Sequence, residues 1–329
     1  MNLTDYQLIE PVSADVILAL VRHAFGERVR ILRCDPITHV QFNTVYDIQL
    51  ADPAVRAILR IAPPSSKPLF SFERTMMSAE QRIGDIIRAA GVPIPPILAF
   101  DGSRTIIDRD FIFVEYVDSV PMSDATVPTA AKPALQRELG VYTARIHGIA
   151  GARFGWPMAD GSIRGSERWS EVIYGLFDEL CLRCVNASLL SATAATALLR
   201  TTAAHRPLFD SCTEPRLVHN DLWEPNVLVV DHGDSFHIVA IIDADRAMFA
   251  DREFDFVLWS QDPHFLDGYG TPLNSAPEAV LRRQFYSLCM SMFCTWAYGV
   301  QINKPDLLAG CKSGMEAELV QLLLDASCE

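Results

Sequence analysis

The chain has 329 residues, of which 50% are hydrophobic and 21% are charged, a globular composition with room for one large domain or two lobes. Its formal net charge of −13 comes without a basic stripe, and this argues against a nucleic-acid partner because binding phosphates requires such a stripe. The negative charge permits a cationic substrate but does not demand one.

The sequence shows neither a membrane-spanning segment nor a secretion signal. No apolar run reaches the roughly eighteen residues of a membrane helix, and residues 1–16 carry acidic side chains where a signal peptide is basic and then apolar. We therefore expect a cytoplasmic protein with no membrane partner, as a monomer or a homodimer. The Cys181-x-x-Cys184 pair has no second pair or nearby His to complete a zinc site, so core or surface thiols are expected. The eight cysteines stand at positions 34, 181, 184, 212, 289, 294, 311 and 328.

The first ninety residues predict a helix, three strands and a second helix. Ser13 is a candidate N-cap for a helix over residues 13–27, whose apolar residues recur along one side. Residues 29–50 predict a strand, a turn and a strand, and residues 54–64 predict a third strand that ends at two prolines. Residues 72–90 carry apolar side chains at helical spacing. The pattern indicates an antiparallel sheet followed by a helix.

The middle and the C-terminal part of the chain are mostly helical. Residues 111–118 predict one more apolar strand, and residues 133–149 predict an amphipathic helix. Two further helices are expected in residues 168–204, where they form a helical subdomain. Residues 282–300 carry a stripe of Met and aromatic side chains that we interpret as core packing rather than as a cofactor site.

A polar cluster lies between these two helical regions. His219 and Asp221 follow a short apolar approach, and Asn226 immediately precedes an apolar strand. A polar turn and a second apolar run lead to Asp243, so the hairpin brings Asn226 and Asp243 to the same end. Two Asp and an Asn at a strand edge suit a divalent ion held by oxygen ligands, together with one free carboxylate that acts as a base.

The spacing H-x-D-x-x-x-x-N followed by a later Asp is the pattern that kinases use for phosphoryl transfer. Each residue alone could belong to an ordinary turn or cap, but four residues in this order favour the kinase interpretation. On residues 219–229 (HNDLWEPNVLV) and 241–255 (IIDADRAMFADREFD), the chain resembles the aminoglycoside phosphotransferase and choline kinase group of small-molecule kinases. The resemblance implies an α+β, bilobal, protein kinase-like fold. Its antiparallel-sheet N-lobe would span residues 1–114 and its mainly helical C-lobe residues 115–329.

The resemblance also implies roles for the cluster. Asp221 would orient and deprotonate the acceptor hydroxyl, and His219 would brace the catalytic loop. Asn226 and Asp243 would hold Mg²⁺, and ATP or GTP would be the phosphoryl donor. Asp255 resembles the buried Asp that hydrogen-bonds the catalytic loop in this group.

The nucleotide contacts implied by the resemblance depart from the usual pattern. Arg60 stands on the third strand where kinases have a Lys, and its expected partner is Glu80 on the following helix, with Glu73 as a rival. Lys67 lies beyond two prolines and is poorly placed for this role. The loop that covers the phosphates contains no Gly, and Asn43 is its candidate phosphate-binding residue.

The sequence specifies two other regions less closely, namely the hinge that joins the lobes and the acceptor site. Glu115, Tyr116 and Val117 resemble the hinge that contacts the nucleotide base. Residues 168–204 and 276–328 are expected to shape the acceptor pocket. Acidic side chains that could meet a cationic substrate near the cleft are Asp251, Glu253, Asp262 and Asp267.

The short segment after Asp243 and the lack of an Ala-Pro-Glu motif favour a small-molecule hydroxyl as acceptor. We expect an aminoglycoside or another basic antibiotic, and thus a role in antibiotic resistance, with choline-like or sugar-type metabolites as alternatives. A nucleotide-binding pseudokinase is favoured by the missing glycines and by Arg60, but Asp221, Asn226 and Asp243 are all present. A metal-dependent hydrolase would need further His ligands.

Overall fold

A computed structural model describes residues 8–38, 40–259 and 261–326 of the protein. Residues 1–7, which carry much of the signal-peptide argument, and Cys328 lie outside these ranges. The helices are α1 (Ala14–Phe25), α2 (Met76–Ala89), α3 (Lys132–His147), α4 (Trp169–Asn186), α5 (Ala192–Ala204), α6 (Arg206–Asp210), α7 (Pro263–Tyr269), α8 (Pro277–Trp296) and α9 (Pro305–Asp325). The strands are β1 (Arg30–Ile37), β2 (Thr44–Ala51), β3 (Val55–Ile61), β4 (Ile97–Asp101), β5 (Phe111–Glu115), β6 (Val120–Pro121), β7 (Phe154–Pro157), β8 (Ile163–Ser166), β9 (Arg216–Val218), β10 (Val227–Asp231), β11 (Phe236–Ile241) and β12 (Met248–Ala250).

The N-terminal part is a five-stranded antiparallel sheet in the order β1-β2-β3-β5-β4. The three predicted strands and the predicted strand at residues 111–118 are confirmed, whereas β4 was not predicted because prolines precede it closely. Helix α1 begins after Ser13, whose hydroxyl accepts a hydrogen bond from the Val16 amide at 3.3 Å, as predicted.

The middle strand β3 directs one face to a core and the other to a cleft. Leu59 and Ile61 are fully buried in the cluster that packs against α1. Because side chains alternate along a strand, Arg60 points to the opposite face. Arg60 pairs in register with Val45 on β2 and with Ile112 on β5. The sheet therefore delivers a buried guanidinium to the cleft.

Helix α2 connects the sheet to the rest of the molecule. It begins at Met76, four residues after the predicted start, so Glu73 lies in the preceding turn. Its apolar face packs in one cluster with residues of the C-terminal part, such as Ala79 and Ile83 with Leu135. Glu80 is buried on this helix. The helix therefore fixes the position of the sheet relative to the catalytic hairpin.

The C-terminal part is mainly helical and carries two small sheets, ordered β11-β10-β6 and β8-β7-β12-β9. The predicted hairpin is confirmed: Val227 pairs with Ile241, and the Ile242 amide donates to the Asn226 carbonyl at 2.9 Å. The first sheet ends at Glu115, which is compatible with the expected lobe boundary, and that boundary stays a prediction. Within the described ranges, no helix has both the length and the apolar character needed to cross a membrane.

Candidate active site

The loop between β9 and β10 places Asp221 beside Asn226. The Asn226 Nδ2 donates to the Asp221 carbonyl at 2.9 Å and to the Asp221 Oδ2 at 3.1 Å. The Asp221 side chain keeps 34% of its surface exposed at the floor of the cleft, whereas Asn226 is buried. The first bond holds the backbone of Asp221, and the second fixes the direction of its carboxylate. The structure thus brings together two of the residues singled out in the sequence.

Asp255 anchors this loop from below. Its carboxylate accepts hydrogen bonds from the backbone amides of His219 and Asn220, both at 2.7 Å, and one oxygen lies 3.1 Å from the His147 Nε2. The His147 Nδ1 in turn lies 3.0 Å from the Tyr269 hydroxyl. Burial alone would raise the pKa of Asp255, but the bonds from His147 and from the His219 amide outweigh it and lower the pKa. The loop is therefore held by an ionised, fully bonded carboxylate.

Replacing Asp255 by Ala is expected to lower the free energy of unfolding by about 3–5 kcal/mol, because it leaves backbone amides and an imidazole buried without their acceptor. Urea denaturation monitored by tryptophan fluorescence measures the effect. The matched control is Asp267→Ala, since Asp267 pairs with Arg137 at 2.8 Å with both side chains about 60% exposed. That change should cost less than about 1 kcal/mol. Equal effects of the two changes would contradict the anchoring role.

His219 is fully buried below the catalytic loop, and its side chain does not line the cleft. Burial lowers the pKa of its imidazole, and the nearby Asp255 and Asp243 only partly offset this. A neutral, enclosed ring packs the loop and supports its shape. This placement fits the bracing role expected for it and argues against a hydrolase that uses His219 as a metal ligand.

Arg60 is the centre of a buried ionic cluster. Its Nη1 donates to Glu80 at 2.5 Å, and its Nη2 lies 2.8 Å from Asp245 and 3.3 Å from Asp243. Burial alone would lower the pKa of Arg60, but Glu80 and the two aspartates raise it, so the guanidinium is charged. Burial raises the pKa of Glu80, with Arg60 opposing the shift. The expected pairing of Arg60 with Glu80 is present.

Asp245 lies two residues after Asp243, on the turn that follows β11. It is buried against Arg60, outside the surface of the cleft. Three carboxylates thus surround one guanidinium, which leaves a surplus of negative charge in a poorly hydrated region. Such a surplus favours binding of a cation at its exposed edge.

The exposed edge of the cluster is Asp243. This residue begins the turn after β11 in a left-handed conformation, with φ of 60°, and 38% of its side chain is exposed to the cleft. Asn226 lies beside it through the bond between the Ile242 amide and the Asn226 carbonyl. Because the Nδ2 of Asn226 is used by Asp221, its amide oxygen is the atom available for a ligand. A carboxylate and an amide oxygen at a site of surplus negative charge fit Mg²⁺, which completes its shell with phosphates and water.

Arg246 is a site residue that sequence reasoning missed. Its Nε lies 4.0 Å from the Asp221 Oδ2, and its Nη2 lies 3.6 Å from the Glu73 Oε1. Glu73 also accepts bonds from the Phe70 amide and from Gln301, so it serves Arg246 and not Arg60. The signal in the sequence was the position of Arg246 three residues after Asp243, on a turn that must face the catalytic loop.

The cluster opens into one cleft of about 1040 Å³ between the sheet and the helices. The expected hinge residues Glu115, Tyr116 and Val117 line the cleft, and the Arg56 guanidinium lies 3.3 Å from the centre of the Tyr116 ring. Asn43 also lines it, and its buried Oδ1 has no hydrogen-bond partner among the described residues. The predicted nucleotide-contact residues are therefore gathered along the sheet side of one cavity.

The acidic residues considered for a cationic substrate lie outside the surface of the cleft. Asp251 is buried against Arg282 at 3.2 Å, and Glu253 is buried against Arg283 at 2.7 Å. Asp262 caps the N-terminus of α7 through the amides of His264 and Phe265, and Asp267 is on the surface. Three of these carboxylates have structural roles, because arginines or backbone amides bind them, and the fourth lies on the surface. The expectation that they approach the cleft is therefore wrong.

Together, the antiparallel sheet, the helical part and the cleft between them define a protein kinase-like fold, as expected from the sequence. A family model described as the phosphotransferase enzyme family APH matches residues 34–280, and the chain belongs to this family. It is a small-molecule phosphotransferase. No curated protein sequence matches the chain significantly.

Several solved structures share this fold. Aminoglycoside phosphotransferase APH(4)-Ia is 16% identical, with 93% of this chain and 98% of that chain covered and a TM-score of 0.66. A thermostable mutant of that enzyme has been solved with ADP and hygromycin B. A candidate fructosamine-3-kinase from Thermobifida fusca is 18% identical, covering 93% and 100%, with a TM-score of 0.62. The gentamicin complex of APH(2")-IIa is 14% identical, covering 95% and 97%, with a TM-score of 0.61.

Proposed function

We propose that this protein transfers the γ-phosphate of ATP or GTP to a hydroxyl group of a small molecule, with Asp221 as the catalytic base. The observation that carries the proposal is the convergence of Asp221, Asn226 and Asp243 with the Arg60–Glu80 pair on one cleft. These residues supply a base, oxygen ligands and a phosphate-binding cation, which are the parts that phosphoryl transfer requires.

In the proposed mechanism, Asp221 accepts a hydrogen bond from the acceptor hydroxyl and takes its proton as the phosphoryl group is transferred. Asn226 keeps the carboxylate oriented, and Arg246 offsets part of its charge. Because the transition state of phosphoryl transfer is loose, most of the acceleration comes from positioning and electrostatic stabilisation. Arg60 has five N–H donors, and those not used by Glu80 and the aspartates would bind the α and β phosphates.

Asp243 and the amide oxygen of Asn226 would hold Mg²⁺. When bound, the ion neutralises charge on the phosphates. The hinge residues Glu115, Tyr116 and Val117 would contact the base, and Asn43 would contact the phosphates. The Asn43 Nδ2 is the donor that a phosphate oxygen would accept from, whereas its unpartnered Oδ1 is an acceptor and would need a donor from another group.

The dependence of kcat on pH is expected to show an acid limb above the usual range of an Asp. The loop and the cleft walls raise the pKa of Asp221 by desolvation, Arg246 lowers it, and Asp243 raises it further. Since only the ionised carboxylate accepts the proton, activity falls as the pH drops through this raised pKa. In Arg246→Gln the limb should move to still higher pH. A limb at or below about pH 4, the ordinary Asp value, would contradict the assignment.

The proposal is tested by a coupled assay of nucleotide turnover with Mg²⁺ over a panel of acceptors. The panel contains aminoglycosides, other basic antibiotics, choline and simple sugars, with ATP and GTP compared as donors. Basic antibiotics are supported by the ligands in the APH(4)-Ia and APH(2")-IIa structures, and sugar-type acceptors by the fructosamine-3-kinase relative. Stimulated turnover supports the proposal. Nucleotide binding without any turnover would favour the pseudokinase alternative, and no nucleotide binding would overturn both.

A further inference from the structure

We infer that the acceptor is a predominantly apolar, hydroxyl-bearing molecule with at most one positive charge, and not a polycationic aminoglycoside. The inference rests on the proposed function and concerns the half of the cleft away from the hinge. Three features carry it: an aromatic surface, the position of that surface beside Asp221, and the lack of uncommitted carboxylates around it in the part of the chain that the structure describes.

The aromatic surface consists of five rings that line the cleft, here called the aromatic wall. Its members are Phe42, Phe70, Phe72, Trp156 and Phe293. The rings of Phe72 and Trp156 stack with centroids 5.7 Å apart, and Phe293 lies 5.1 Å from Phe70 and 6.3 Å from Phe72. Aliphatic and sulfur-containing side chains from α4 and α8 extend it, namely Leu176, Leu180, Cys289, Met290 and Cys294. A surface of this kind gains free energy by covering apolar area.

The aromatic wall adjoins the reacting centre. Arg246, whose Nε is 4.0 Å from Asp221, places its guanidinium carbon 4.8 Å from the Phe293 ring centre and 5.7 Å from that of Phe42. A hydroxyl presented to Asp221 therefore belongs to a molecule whose body lies along these rings. The hinge residues line the sheet side of the same cleft, so the nucleotide base and the acceptor use different walls.

The charges around this half of the cleft do not suit a polycation. Its ionisable groups among the described residues are Asp221, Arg246, Tyr286, Cys289, Cys294 and Tyr298. Burial raises the pKa of Cys289 to about 12 and also raises that of Tyr286, so neither is charged near pH 7. Burial raises the pKa of Cys294 to about 11 and also raises the pKa of Tyr298, so both are neutral near pH 7. Asp221 and Arg246 carry opposite charges, so together they leave no net charge.

The other carboxylates that line the cleft are committed or distant. Asp243 and Glu80 belong to the Arg60 cluster, and Asp255 is bonded to the catalytic loop. The remaining three, Asp35, Asp47 and Glu115, are on strands β1, β2 and β5 of the sheet side. Several ammonium groups would lose their hydration along the aromatic wall without carboxylates to replace it, which is costly. An apolar body with one hydroxyl at Asp221 meets no such penalty.

The test uses the full-length protein saturated with AMP-PNP and Mg²⁺, so that the nucleotide half is filled. The probe is N-phenyl-1-naphthylamine, an uncharged aromatic dye whose fluorescence rises in apolar sites. We expect saturable binding of one equivalent, and we expect hygromycin B and gentamicin neither to displace the dye nor to raise the Tm. Saturable binding of either aminoglycoside that displaces the dye, or the absence of saturable dye binding, would overturn the inference.

The decisive variant is Met290→Glu, which adds a carboxylate to a half-buried position of α8 on the cleft. It should weaken dye binding about tenfold or more, because the charge must be desolvated under the bound ring. The matched control is Val280→Glu, on the same helix at a position that is 41% exposed and outside the cleft surface, where dye binding should not change. Weakening of dye binding in the control to the same degree, or no weakening in Met290→Glu, would place the dye elsewhere and overturn the inference.

Two further measurements distinguish a failure of this inference from misfolding of the variant and from a failure of the proposed function. If Met290→Glu lowers the Tm strongly, Phe293→Leu replaces it, and loss of the ring should weaken dye binding severalfold while apolar packing is kept. The Tm shift produced by AMP-PNP with Mg²⁺ is measured in parallel. Its absence would count against the proposed function, while the sensitivity of dye binding to Met290→Glu still reports on the acceptor half.

Discussion

Replacing Asp221 by Asn is expected to lower kcat about 10³-fold while nucleotide affinity remains within about twofold of the unchanged protein. The amide is nearly the same shape as the carboxylate, but it cannot accept the proton of the acceptor hydroxyl. Nucleotide affinity should persist because Arg60, Glu80 and Asp243 are untouched. Steady-state turnover with an acceptor that stimulates the enzyme, together with a titration of AMP-PNP, measures the two quantities separately.

The matched control for this prediction is Asp234→Asn. Asp234 is exposed in the turn at the far end of the same β10–β11 hairpin, so the substitution makes the same change in charge away from the cleft. Its kcat should match that of the unchanged protein. An Asp221→Asn protein that keeps most of its turnover would refute the assignment of the base. An equal loss in both variants would indicate damage to the hairpin.

Replacing Asp243 by Ala is expected to reduce kcat/KM by more than about 10³-fold, because the site loses its only carboxylate proposed to hold the metal. The variant should also lose the rise in Tm that AMP-PNP produces with Mg²⁺ in the unchanged protein, since that rise reflects binding to the folded state. The Tm of the ligand-free variant should fall little. Asp243 is one of three carboxylates around Arg60, and Glu80 and Asp245 continue to neutralise the guanidinium.

The control for this prediction is the unchanged protein in EDTA, which should resemble the Asp243→Ala variant in both turnover and nucleotide-induced Tm. A variant that retains its Mg²⁺-dependent Tm shift would place the metal elsewhere in the cleft. A large loss of Tm without ligand would instead show that Asp243 mainly stabilises Arg60, and the loss of activity would then be a consequence of local unfolding.

The catalytic hairpin could be predicted from the sequence because its geometry is local. Asn226 and Asp243 flank two apolar runs joined by a short turn, and such a turn must bring both ends together. The pairing of Arg60 with Glu80 was also predictable, since strand alternation and helical spacing each direct one side chain toward the same cleft. In both cases, secondary-structure periodicity and the order of elements are sufficient.

Contacts between distant segments required the tertiary structure. Glu73 and Arg246 form a pair although more than 170 residues separate them. Asp251 and Glu253 turn away from the cleft because Arg282 and Arg283 on α8 pack beside them.

The apolar lining of the acceptor site also depends on contacts between segments that are distant in the sequence. The rings of the aromatic wall come from positions as far apart as 42 and 293, each unremarkable as a core residue in its own segment. Periodicity indicates that a side chain is apolar and on a buried face, but it does not distinguish a closed core from the wall of a cavity. The residues of the proposed reaction can therefore be predicted from their short-range spacing in the sequence. The polarity of the acceptor site, in contrast, depends on how helices and loops pack against one another.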